Sequence, residues 1–133
     1  MNSILATPYG LSLLSILRIF TGLSLLQHGT AKILGFPAAP TFSNVQITSL
    51  TGVGGLIELV GGILFTIGLF TRPVAFILSG EMAAAYFIEH FPISFFPVLS
   101  EGDLAVSLCF TLLYLAFAGG GLWSLDALMR GKS

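Results

Sequence analysis

Charge is scarce in this chain: five Lys and Arg and six Asp and Glu in 133 residues, 8% of the total, against a hydrophobic share of 55%. A water-soluble domain carries roughly a quarter of its residues as charges. The composition therefore excludes an ordinary soluble fold, and the lack of any basic run excludes a nucleic-acid-binding surface. The single cysteine, Cys109, lies in an apolar run, so an intrachain disulfide or dithiol redox pair is excluded and the residue reads as packing. Two histidines and one cysteine without ligand spacing offer no recognisable metal, haem or iron-sulfur site. No glycine-rich loop joins a strand to a helix as nucleotide binding would require. The amino terminus lacks the basic region and cleavage site of a signal peptide, so the first apolar segment is expected to be retained.

What the chain has is apolar residues in long blocks. Four stretches, about 8–28, 51–70, 73–89 and 103–120, are long enough to cross a hydrocarbon layer of roughly 30 Å. The six prolines (Pro8, Pro37, Pro40, Pro73, Pro92 and Pro97) fall outside the interiors of these runs, the pattern of helix starts and breaks. The Thr71-Arg72-Pro73 link is so short that the helices it joins must form a hairpin. The sequence thus predicts an all-α integral membrane protein, a four-helix bundle of antiparallel up-down topology, as one domain over residues 1–133. The connections, 29–50 and 90–102, read as loops, with Phe91, Phe95 and Phe96 as an interfacial belt. Arg72, Arg130 and Lys132 would share one side against Lys32 on the other, which places both termini in the cytoplasm of a bacterial inner membrane, with Trp123 and Tyr9 at that interface. Ser124 reads as the cap of a short amphipathic tail through Arg130.

Three of the apolar runs carry ionisable groups deep inside: Arg18, Glu58 and Glu81. Each costs roughly 2.5–3.5 kcal/mol to insert at the bilayer centre, so each is expected to face a partner or a wet cavity. Arg18, Thr21, Leu25, His28 and Lys32 recur at helical spacing on one face. Glu58 sits among Gly54, Gly55, Gly61, Gly62 and Gly68, a pattern that lets another helix approach closely. Glu81 shares a face with Ala84, Ala85 and Ile88. Ser107, Thr111 and Tyr114 line up on the last run and read as interhelical hydrogen bonding. Counted from the cytoplasmic ends at 1.5 Å per residue, Arg18 lies about 15 Å in, Glu58 about 18 Å and Glu81 about 12 Å. The expectation is that Arg18 bridges the two carboxylates, its guanidinium serving both. The triad would carry one excess negative charge, offset by a proton, His28, Lys32 or a ligand. A purely architectural network that fixes helix register is the competing reading. His28 and Lys32 stand near the outer mouth of the stripe, where His90, Glu89, Glu101 and Asp103 also gather. Glu89 and Glu101 read as solvated interface residues.

The runs LRIFTGLSLLQHGTAKILGF, GLIELVGGILFTIGLFTRPVAFIL and EGDLAVSLCFTLLYLAFAGGGLWSLD, in that order, resemble the DoxX family of small bacterial membrane proteins. Arg18, His28-Gly29 with Lys32, Glu58 with Gly61-Gly62, Gly68 with Thr71-Arg72, and Ser124-Leu125-Asp126 stand where the family carries its motifs. SFFPVLSEGD departs from the polar approach expected before Glu101. The resemblance implies an inner-membrane four-helix bundle described as an oxidoreductase or quinol-oxidase-related subunit, with relatives linked to thiosulfate-to-quinone electron transfer. No self-contained catalytic or redox-cofactor motif accompanies it, so electron transfer would need a diffusible quinone or a partner enzyme. The leading expectation is a redox-associated subunit that binds a quinone-like or other amphipathic molecule, its polar head at His28 and Lys32 and its base at Arg18, Glu58 and Glu81. The alternatives are a non-enzymatic scaffold or assembly factor and a small-solute or proton transporter. Membrane lipid surrounds the bundle in each reading, and the glycine-rich second run leaves a homo-oligomer open.

Overall fold

The structure, a computed structural model, describes residues 7–38, 46 and 48–130. Pro40, the polar stretch around Ser43 and Asn44, and Lys132 lie outside the described residues. Among those described, all regular structure is helical, in six α-helices: α1 (Pro8–Ile33), α2 (Leu50–Ile67), α3 (Thr71–Ala85), α4 (Pro97–Ser100), α5 (Asp103–Ala118) and α6 (Leu125–Arg130). A π-helical turn, Tyr86–His90, continues α3 without a break.

Local chemistry sets the ends. Thr7 is extended and its hydroxyl accepts from the Gly10 amide at 3.0 Å, with Pro8 in the first turn, where a missing N–H is harmless. Ser49 caps α2 by accepting from the Gly52 amide at 3.0 Å. Gly68, at φ 77°, ends that helix in the left-handed region, three residues earlier than the apolar run indicates. Ser124 caps α6, accepting from the Ala127 amide at 3.0 Å. At the other end, α1 outruns its expected limit near His28 and continues to Ile33, because Gly29 is a point of helix contact and not a break.

Glycines set the packing. Gly22 lies against Thr66, Gly62 against Leu26, Gly29 against Leu59 and Gly55 against Lys32, so α1 and α2 run in opposite directions with their backbones nearly touching. A Cβ at Gly29 would stand 2.4 Å from the Leu59 amide nitrogen. Gly61 meets Leu78 across the α2/α3 hairpin. On α3, Ser79 donates to the Cys109 carbonyl at 2.7 Å, while Gly102 meets Tyr86 and Gly119 meets Arg72, so α5 is antiparallel to α3. Leu25, Phe65, Leu78, Leu112 and Leu115 are fully enclosed between these pairs.

The distribution of polarity suits a bilayer. Arg18, Glu58, Ser15 and Thr71 are buried, whereas Phe20, Phe76, Phe110 and Phe117 are at least 63% exposed. Water would penalise that outer surface and lipid would not. Helices α1 and α2 are long and apolar enough to cross a membrane, and α5 is apolar but shorter. On α5 the buried face is Ala105, Leu108, Leu112 and Leu115. Ser107 and Tyr114 are consequently exposed, and among the described residues the interhelical hydrogen bonds expected of the Ser107/Thr111/Tyr114 stripe do not form.

Candidate functional site

Two neighbouring glycines build the polar centre. Gly54 leaves room for the Glu81 carboxylate, whose Oε1 would lie 2.8 Å from a Cβ there, and Gly55 leaves room for the stem of Lys32, 2.6 Å from its own missing Cβ. One turn further along α2, Glu58 meets Lys32, with Nζ 3.1 Å from Oε1 and 3.3 Å from Oε2. The pair is sealed, its side chains 9% and 2% exposed. Glu81 stands close enough to both to feel their charges. With all three ionised the set carries one negative charge in excess, and a proton or a donor on a bound molecule offsets it. The Glu81 Oε2 is buried without a hydrogen bond.

Around this centre lie three connected openings. A cavity of about 360 Å³ is lined by His28, Lys32, Glu58, Glu89, His90 and Glu101 over a floor of Met82 and Leu108. A second, of about 300 Å³, opens between α2 and α3, where Lys32, Glu81 and Glu89 meet Val53, Ile57, Ile77 and Ile88. Lys32 and Glu89 border both. A third, of about 290 Å³, continues the α2/α3 crevice past Ile57 and Ile77 to Val60, Gly61 and Leu64, and is wholly apolar. Glu89 and His90 enter the chamber from the π-helical turn, a distortion that frequently marks functional sites. Thr51 donates to Glu89 at 3.3 Å. His90 Nδ1 lies 2.9 Å from the Ser100 carbonyl. A carbonyl only accepts, so Nδ1 carries the proton and a neutral His90 keeps Nε2 as an acceptor.

Arg18 stands apart from this centre, and the expected Arg18 bridge between Glu58 and Glu81 does not form. Its Nη1 donates to the Gly120 carbonyl and its Nη2 to those of Trp123, at 2.7 Å, and Thr66, at 3.3 Å. Ser15 supports the same turn, donating to Gly120 at 3.1 Å and accepting from the Trp123 amide at 2.9 Å. The reason is register. With Gly22 against Thr66 and Gly29 against Leu59, Arg18 falls level with the end of α2, and Glu58 faces the last turns of α1. Equal depth had required α1 and α2 to end in one plane, which this register rules out. Lys32, carried inward by the extension of α1, pairs with Glu58 instead.

Asp126 completes the Arg18 end. Its two carboxylate oxygens accept the Phe70 and Thr71 amides, each at 2.8 Å, fastening the tail to the α2/α3 link. Partial burial pushes its pKa up, but the Thr71 and Phe70 amides and the Arg130 charge outweigh that and hold it below the usual carboxylate value.

The sequence model of the DoxX family matches residues 13–91, which take in most of α1, all of α2 and α3, and the π-helical turn. The chain belongs to the DoxX family. This DoxX protein is 44% identical over 117 residues to a Haemophilus influenzae protein carrying the description "Uncharacterized protein", covering 85% of this chain and 87% of that one. It is 28% identical over 120 residues to the Bacillus subtilis protein "Putative oxidoreductase CatD", covering 88% and 87%. No solved structure matches it. His28, Lys32, Glu58 and Glu81 of the DoxX chain are brought together, and Arg18 is not. Glu89 and Glu101, read as solvated, are exposed, and they border the chamber together with His90. Their position at one end of the bundle was visible in the sequence, but the π-helical turn that directs Glu89 and His90 was not. Phe91, Phe95 and Phe96 are exposed and stack edge to face in succession.

Proposed function

We propose that this DoxX protein is a multi-pass subunit of the bacterial inner membrane, a four-helix antiparallel bundle with both termini cytoplasmic, that binds a quinone-like amphipathic molecule. The observation that carries the reading is the junction at Lys32 and Glu81. There, a polar chamber meets an apolar crevice along α2 and α3. A molecule with a small oxygenated head and a long apolar tail matches both parts. The head accepts from Lys32 and, in its reduced quinol form, donates its hydroxyls to the Glu58 and Glu81 carboxylates, and the tail lies between α2 and α3 toward Gly61 and Leu64, open to lipid. The name of the Bacillus subtilis relative agrees with a redox setting. Electrons in this reading belong to the quinone and to a partner enzyme, and the chain contributes binding and protons.

The test is equilibrium binding of a tailed quinol analogue and of its tail-free head to purified protein in nanodiscs. Saturable binding is expected, weakened roughly ten-fold or more by Glu58→Gln, which removes a charge-assisted contact worth about 1.5–3 kcal/mol. Gly61→Leu fills the crevice and is expected to weaken the tailed analogue alone. Absence of saturable binding, or indifference to Glu58→Gln and Gly61→Leu alike, refutes the proposal.

A further inference from the structure

A separate cavity of about 360 Å³ lies at the other end of the molecule, between the start of α3, the Gly119-Gly120 turn and α6. The Thr71 side chain lines it, 1% exposed, and its hydroxyl is buried beside the Asp126 carboxylate with no partner at hydrogen-bond distance. Gly120 keeps that hydroxyl accessible, since a Cβ there would stand 2.8 Å from Oγ1. The Arg72 guanidinium lies along Gly119, 3.3 Å from where a Cβ would be, and forms no hydrogen bond or ion pair among the described residues. Arg130 faces it from α6. Asp126 is the acidic group present, and both of its oxygens are already engaged by the Phe70 and Thr71 amides. The cavity therefore offers an anion the Arg72 guanidinium and the Thr71 hydroxyl, with the Arg130 guanidinium at its edge, where it also acts on the Asp126 charge.

Its surroundings are apolar. Phe70, Leu128 and Met129 are each about 60% exposed, and Trp123 is 56% exposed beside them. Helix α6 thus has the character of an interfacial helix, with Leu125, Leu128 and Met129 outward and Asp126 and Ala127 turned in. Basic pockets flanked by apolar surface at the end of a membrane bundle suit phospholipid head groups.

We propose that this cavity binds a phosphate oxyanion, held by Arg72 and Arg130 with the Thr71 hydroxyl as a third donor, and that the phosphate is the head of an anionic membrane lipid. A free phosphate would engage the same three groups, and the experiment separates the two sources. Full-length protein in neutral detergent is incubated with phosphatidylglycerol or phosphatidylcholine and the retained lipid read by native mass spectrometry, while inorganic phosphate alone is titrated calorimetrically. Preferential retention of phosphatidylglycerol is expected, reduced about five-fold by Arg72→Gln or Arg130→Gln and abolished by the pair. Thr71→Val keeps both charges and is expected to reduce it measurably. Saturable inorganic phosphate binding lost in the double variant, without lipid preference, supports the site with a soluble ligand. A preference that survives the double variant, or one lost with the arginines but untouched by Thr71→Val, overturns the proposal, the latter by showing diffuse surface charge. So does the absence of both lipid preference and phosphate binding.

Discussion

Arg18 is the buried charge whose role the structure changes most, and its replacement separates architecture from ligand binding. Arg18→Met keeps much of the side-chain volume but deletes the donors to Gly120, Trp123 and Thr66. The two closer contacts are charge-assisted bonds worth about 1.5–3 kcal/mol each, and the third is long. Their loss orphans buried carbonyls, while relief of the guanidinium's desolvation offsets part of the cost. A net destabilisation of about 2–4 kcal/mol is expected, concentrated where 119–124 packs against α1. Trp123 is the single tryptophan, and its backbone is fixed on both sides by Arg18 and Ser15. Its emission and acrylamide quenching therefore report this contact directly. Arg18→Met should raise quenching and lower the thermal midpoint. Arg18→Lys should fall between, because one ammonium cannot span carbonyls that a planar fork reaches together. A thermal midpoint and Trp123 quenching unchanged in Arg18→Met would refute the reasoning. So would loss of quinol-analogue binding with Trp123 undisturbed, which would return Arg18 to the ligand site.

Lys32→Met should cost about 3–5 kcal/mol by stranding Glu58, and Lys32→Met with Glu58→Met should recover most of it, measured by thermal or denaturant unfolding in detergent. Asp126 has a folded pKa below its unfolded value of about 3.9, so its contribution is full above that pH and is lost as pH falls through the folded value. Trp123 quenching should accordingly rise on acidification below about pH 4 in the native chain, with this component absent in Asp126→Asn. Gly29→Ala should destabilise by about 1–3 kcal/mol, since its Cβ meets the Leu59 backbone, whereas Gly80→Ala, with nothing within 4 Å, should be neutral or stabilising by up to about 1 kcal/mol in the same assay.

Legibility in the sequence followed the range of the interaction. Caps at Ser124 and Pro8, the Thr71-Arg72-Pro73 hairpin and the glycine face of α2 depend on near neighbours in the chain, and those signals are local. The membership of His28, Lys32, Glu58 and Glu81 in one polar region was readable too, because apolar runs tolerate such groups only where they converge. The partner of each group was not. That depends on the offset between α1 and α2, which is set where Gly22, Gly29, Gly55 and Gly62 let the two backbones meet, and no single-helix periodicity encodes an offset. Arg18 and Lys32 stand fourteen residues apart on α1, about 21 Å or four turns, so the offset between the two helices decides which of them lies opposite Glu58. The position of Glu89 and His90 at the edge of the chamber likewise depends on a π-helical turn whose residues, Tyr86–His90, show no break in composition.

The same register explains why the two polar ends are independent. Between the Arg18 contacts and the Lys32–Glu58 pair lie Leu25, Phe65, Leu78 and Leu112, each with no exposed surface. A transport path would have to pass this layer, and a dry apolar layer opposes both water and a proton relay. The layer therefore favours a binding protein over a conduit. It also assigns each buried charge a distinct task. Arg18 and Asp126 hold the tail against the α2/α3 link with hydrogen bonds already made. Lys32, Glu58 and Glu81 keep an odd charge and an unpartnered carboxylate oxygen beside open volume. A buried polar group is expensive when left unsatisfied. That unspent hydrogen-bonding capacity is where the head group of the proposed ligand would gain most, which is the reason for setting the proposed binding site at the Lys32 end.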